Sequence, residues 1–178
     1  MSDDSFITIK QINGYWKDFF IYDNYVEETD FRKNKILNSG RTILAGTLFG
    51  DDNIDSINYI AQGSGNSSWD SSVPEPDPSQ KRLVSELDRR EPDEVVYLTA
   101  NNTVSVNPTN KIRITKQYPK SDPLNGETIR EQGMFGGTNL SQGLNTGQLF
   151  NVFNHQKIEK TSDFILKRQL VIEFVEAV

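Results

Sequence analysis

Cysteine is absent from this 178-residue chain, which excludes disulfides, thiolate metal sites and cysteine nucleophiles together. That composition fits assembly in a reducing cytoplasm. Histidine occurs once, at position 155, so a histidine metal site, a serine triad or a histidine general base would all rest on one residue. It stands in Asn-His-Gln beside an expected strand end, where it reads as an exposed structural side chain. No apolar run approaches the roughly 20 residues needed to cross a bilayer as a helix. The start, Met-Ser-Asp-Asp-Ser, has neither the positive region nor the apolar run of a cleavable signal. The expectation is a soluble protein with no membrane partner that is not exported by such a signal. Positive charge is also short: 19 Lys and Arg stand against 25 Asp and Glu, a net charge of −6. No basic stripe is visible in that balance, so nucleic acid is not an expected partner.

What the chain does contain reads mainly as β structure. Its length fits one domain, or one domain with a short appendage, burying about two thirds of its unfolded surface. Residues 15–22 are aromatic-rich and read as a strand. Residues 24–30 read as a polar loop. Over 35–49 the period changes: Ile36, Leu37, Ile43, Leu44 and Leu48 recur at helical spacing, with Asn34 as the expected cap and Gly50 as the expected end. A strand follows at 54–61, then a loop rich in Gly, Ser and Pro from 63 to 78. Residues 79–90 read as a short helix capped by Ser79, burying Leu83, Val84 and Leu87. Beyond Pro92 everything reads as strand: 95–99, 103–106, 111–118, 126–135, 148–153 and 164–175. In the last of these, Phe164, Leu166, Leu170, Ile172 and Phe174 share a face that Arg168 interrupts, so one end is expected to be exposed. At 126–135, Arg130 and Glu131 sit between apolar anchors. The expectation there is charges that point outward or pair with each other, and a β-bulge at Gly133. There is no internal repeat and no heptad pattern. The expected fold class is mainly β, an antiparallel β-sandwich with one or two peripheral helices.

No stretch offers an active site. Asp51, Asn53 and Asp55 imitate the opening of a helix-loop-helix calcium loop, but Ser56 and Gln62 occupy the positions that need Gly and Glu. Gly63-Ser64-Gly65 lacks the third glycine and the helix of a dinucleotide site. Glu86, Asp88, Glu91, Asp93 and Glu94, mixed with Arg89 and Arg90, read as a solvated face. The Asn-x-Ser/Thr triplets at Asn66, Asn101 and Asn139 matter only in a secretory pathway. The expectation is a non-enzyme with no catalytic residues, no metal and no cofactor.

Three segments in fixed order resemble the attachment domain at the N-terminus of tailed-phage tail-collar and tail-fibre proteins. Asn38-Ser39-Gly40-Arg41 through Leu48 leads to Ile57-Asn58-Tyr59-Ile60-Ala61-Gln62-Gly63-Ser64-Gly65. The stretch from Pro76 to Arg89 resembles the family's proline-led helix through Leu83, Glu86, Leu87 and Arg89. Thr128-Ile129-Arg130-Glu131-Gln132-Gly133-Met134-Phe135 is similar to its isoleucine-arginine-glutamate-x-glycine-leucine-phenylalanine signature. The likeness spans about residues 35–175. The chain departs from the family by carrying residues 6–30 in addition and by stopping where members continue into a trimeric shaft.

The resemblance implies a virion structural protein of a tailed phage or related contractile machine, assembled in the host cytoplasm. It would dock fibre or adaptor components at the tail, baseplate or collar. The implied partners are other virion proteins and further copies of the chain in a symmetric ring or trimer. Residues 1–34 would form an N-terminal strand or arm, a possible docking segment, and 35–178 the sandwich. Candidate interface residues are Trp16, Phe19, Phe20, Trp69, Arg130 and Glu131, with core burial the alternative for the aromatics. The loops at 64–78 and 136–147 are expected to be poorly fixed until neighbours order them. Two alternatives stand beside this reading. One is a capsid decoration or neck protein. The other is a domain that binds or cleaves host polysaccharide, using aromatic faces.

Overall fold

The computed structural model of the protein describes residues 9–176, so the first eight residues of the expected arm and the last two of the chain lie outside the described residues. The elements run β1 (Ile9–Ile21), β2 (Val26–Glu28), β3 (Arg32–Lys33), β4 (Lys35–Ile36), α1 (Asn38–Phe49), β5 (Asp55–Gly63), a 3-10 turn (Ser67–Asp70), β6 (Glu86–Arg90) and β7 (Glu94–Leu98). They continue with β8 (Val104–Ser105), β9 (Lys111–Tyr118), β10 (Thr128–Gly137), β11 (Gln148–Glu159) and β12 (Ile165–Glu176). Two antiparallel sheets result, and the fold is a mainly β sandwich. The larger has the order β2-β1-β12-β9-β7-β8, with β3 also on β1; the smaller has the order β4-β11-β10-β5-β6.

Alternation along each strand builds the interior. Trp16, Ile114, Leu170 and Ile172 of the larger sheet meet Ile60, Met134 and Phe150 of the smaller, with Ile43 of α1 among them. Toward the other end, Tyr118, Leu124, Ile129, Phe164 and Leu166 form a second cluster. A third, with Ala61, Phe135, Leu149 and Val152, is covered by Leu37 and Leu83. Over residues 9–34 the expected arm is built into the sandwich. β1 pairs with β12 from Ile9 opposite Glu176 to Ile21 opposite Ile165, and β2 and β3 pair with its other side.

Several expectations are corrected. The α1 cap is Leu37, with no side-chain hydrogen bond, and Asn34 lies outside it; Gly50 does end the helix, at φ 72°. Gly40 is tolerated inside the helix because a Cβ there would strike the backbone oxygen of Phe150. Residues 79–90 form no helix. The stretch runs as an irregular chain, with the Lys81 carbonyl accepting from Leu149 N of β11, and ends as β6, paired with Ile60–Gly63. Leu83 is buried but Val84 is exposed. The cause is tertiary: the Val84 and Ser85 N–H groups, which a helix would send back four residues, donate instead to Glu131 at 2.9 and 2.8 Å. Gly133 carries no bulge. It pairs regularly with Val152 and Ala61, and the register shifts lie on either side, at 129/131 and 134/135. Space explains the glycine, since an added Cβ would lie 2.5 Å from the Asn151 oxygen and from Leu149 Cδ1.

Candidate functional site

The six candidate interface residues do not come together on one surface. On β1, Trp16, Asp18 and Phe20 point inward while Tyr15, Lys17 and Phe19 point outward. Trp16 is fully buried in the central cluster. Phe20 packs edge-on against Phe164 with ring centroids 5.4 Å apart. Phe19 lies half-buried on the outer face, with the ammonium groups of Lys17 and Lys167 within 5.1 and 5.6 Å of its ring. Trp69, in the 3-10 turn, is 9% exposed and lies against Gly65.

Arg130 and Glu131 neither pair with each other nor both face solvent. At the register shift between Ile129 and Glu131, where β11 carries the extra residues, Arg130 and Glu131 both lie between inward Ile129 and inward Gln132. Arg130 then holds Asp70 through both carboxylate oxygens, at 2.7 and 3.0 Å, and donates to the Ser64 carbonyl. Glu131 is fully buried. Burial raises its carboxyl pKa above the ordinary value, partly offset by N–H donors from Ser85, Val84 and Gly65. Both loops expected to be loose are therefore pinned within the chain. Pro74 accepts from Asn154 Nδ2 at 3.0 Å in the first. In the second, Arg89 Nη1 donates to Ser141 O and Thr146 O at 3.2 and 2.7 Å, while Glu86 accepts from Asn145 N at 2.9 Å. The Arg89–Glu86 pair is itself buried, with the guanidinium 3.9 Å from the Phe135 ring centroid.

A polar layer crosses the sandwich between the central and end clusters. Arg168, at the inward position between Leu166 and Leu170, is fully buried. Its Nη1 donates to Gln62 Oε1 and Gln132 Oε1, its Nη2 lies 3.3 Å from His155 Nε2, and its Nε is 3.4 Å from Asp18 Oδ1. Gln62 donates in turn to the Tyr118 hydroxyl at 2.8 Å. Asp18 also accepts from Arg32 at 2.7 Å. His155 is buried, not exposed as expected. Burial, then the Arg168 charge, push its pKa well below the ordinary value, and its Nδ1 meets the Gln156 carbonyl at 2.6 Å. The neutral Nδ1–H tautomer satisfies both neighbours. Strand alternation offered a signal for this layer: Asp18, Gln62 and Arg168 each follow an inward apolar residue by two. The layer is enclosed within the core. Among the described residues no group of three or more His, Cys, Asp or Glu could hold a metal ion.

The surface offers two further features. Val95 and Tyr97 of β7 stand in register with the inward residues Ile114 and Ile112 of β9, yet are 59% and 41% exposed. The larger sheet thus overhangs the smaller and leaves an inner face uncovered. At the end of α1, Leu48 and Phe49 are 84% and 90% exposed; Leu48 was expected on the buried stripe. Near the other end of α1, a cavity of about 500 Å³ is lined by Ile12, Ile36, Lys33, Lys35 and Arg41, among others. No protein-family model matches the chain, and no curated protein matches it.

Proposed function

We propose that this chain is a non-catalytic docking subunit of a tailed-phage or related contractile particle, holding fibre or adaptor components at the tail, baseplate or collar. The observation that carries the docking role is the uncovered inner face of β7. A sheet face in register with the core is normally covered, and Val95 and Tyr97 present apolar area to a second protein. The address at the tail rests on the likeness of residues 35–175 to the attachment-domain family. The hydrogen bonds that tie both loops within the chain support docking as a preformed body.

Particles purified from cells expressing the chain provide the test. The expected result is the chain present at fixed stoichiometry, at the tail end, with the β7 face covered in the density. Val95→Asp with Tyr97→Asp should lower incorporation several-fold, while the melting temperature of the free protein holds because both sites are exposed. Full incorporation of that variant removes the β7 face from the account. Absence of the chain from the particles removes the function.

A further inference from the structure

The charges around α1 stand the wrong way round for an isolated molecule. A helix carries partial positive charge at its N-terminus and partial negative charge at its C-terminus. Acidic residues near the start and basic ones near the end would offset this, yet the first turn of α1 has no acid and its last turn no base. Lys33, Lys35 and Arg41 instead surround the cavity near the helix start, and Asp51, Asp52 and Asp55 follow its end. None of these six makes an ion pair among the described residues. Among the described residues the Asp51 carboxylate accepts only from Asn53, through its N–H and its side-chain amide. Glu75 lines the adjoining cavity, which shares Lys33 and Lys35, without reaching either. The protein as a whole is acidic, at −6, so three cations around one cavity with no ion pair among the described residues run against the average.

The two ends are complementary in apolar character as well. The acidic end carries Leu48 and Phe49, almost fully exposed. The basic cavity includes Ile12 and Ile36 among its lining, and both are only partly buried against the central cluster. An aromatic tip flanked by carboxylates at one end thus faces away from an apolar-lined cavity edged by ammonium and guanidinium groups at the other. Within one molecule they cannot meet, since a 12-residue helix holds them about 18 Å apart.

We infer that the occupant of the Lys33–Lys35–Arg41 cavity is the α1 tip of a second copy of this chain, with Leu48 and Phe49 entering it and Asp51 and Asp52 pairing with its cations. The contact is head-to-tail, so each copy offers one tip and one cavity. Repetition closes a ring if the rotation permits and otherwise extends a filament. The inference rests on the docking reading for its setting, but uses a different surface from β7.

Sedimentation velocity of the full-length protein at low salt provides the test. The wild type associates in a concentration-dependent way that weakens as salt screens the charge pairs. Lys35→Glu with Arg41→Glu, or separately Asp51→Lys with Asp52→Lys, weakens self-association about tenfold or more, since each makes like charges meet. Phe49→Ser weakens it at every salt concentration. Unchanged circular dichroism and melting show that the variants fold. Mixing the two charge-reversed proteins restores assembly, because each reversed end then meets its opposite. A wild type that stays monomeric, reversed variants that assemble like wild type, or a mixture that fails to assemble overturns the contact. These outcomes separate from the docking reading: a monomeric chain that still enters particles keeps that reading, and a ring-forming chain absent from them loses it.

Discussion

Arg168 is placed in the interior by the two-residue period of β12, and its charge is tolerated because Gln62, Gln132, His155 and Asp18 converge on it. Removing one member of a buried pair costs more than the pair contributes, because the other charge is left unmatched. Arg168→Met is expected to lose about 3–5 kcal/mol in urea unfolding, and adding Asp18→Asn should restore part of it. A double variant as weak as the sum of the two singles would dissociate Arg168 from Asp18. His155 supplies a pH-dependent contribution. Folded, it faces the Arg168 and Arg32 charges and remains neutral well below its ordinary value; unfolded, it takes up a proton near pH 6.5. The unfolded state therefore binds more protons as pH falls below about 6.5, and stability is lost in that direction, by at most about 1.4 kcal/mol per pH unit. Buried Glu131, with its raised value, acts in the opposite sense at lower pH. His155→Gln should flatten the loss of the urea midpoint between about pH 6.5 and 5. Equal slopes in variant and wild type would refute this account of His155.

At the scale of elements, the segment at 79–90 shows how tertiary demands override local pattern. Leu83, Val84 and Leu87 fit one helical face, but Glu131 emerges from the irregular register of β10 and takes the N–H groups the helix would use. A buried carboxylate without donors is costly, and the irregular chain just before β6 supplies two. The loop at 138–147 depends likewise on one buried pair. Arg89→Ala should raise amide exchange across 139–147 while leaving exchange in β10 and β11 unchanged, as read by mass spectrometry. No change in that loop would show that its backbone turns hold without Arg89. Glycine positions were legible as special but not in kind: Gly133 looked like a bulge and is a site of close approach.

For the whole molecule, the long ladder between β1 and β12 and that between β10 and β11 form the two sheet centres. β2, β3, β4 and β8 are peripheral pieces of two or three residues. Slowest amide exchange is expected in β1, β12, β10 and β11, and fast exchange in β8; protection of β8 equal to that of β12 would contradict this hierarchy. The fold class was readable from the sequence because alternation of apolar and polar residues is a local property, and the β9 and β12 strands follow from it directly; Gly50 ends α1 for another local reason, a left-handed φ that glycine adopts freely. The same alternation turns Trp16 and Arg168 inward, although from the sequence Trp16 reads as an interface candidate with burial the alternative, and Arg168 as an interruption that exposes one end of its strand. Which strands neighbour one another, that Glu131 and His155 are buried, and that Tyr97 is left uncovered depend on pairings between residues far apart in the chain. Those pairings are chosen by the free energy of closing two sheets around one core, a quantity that no single stretch of sequence contains.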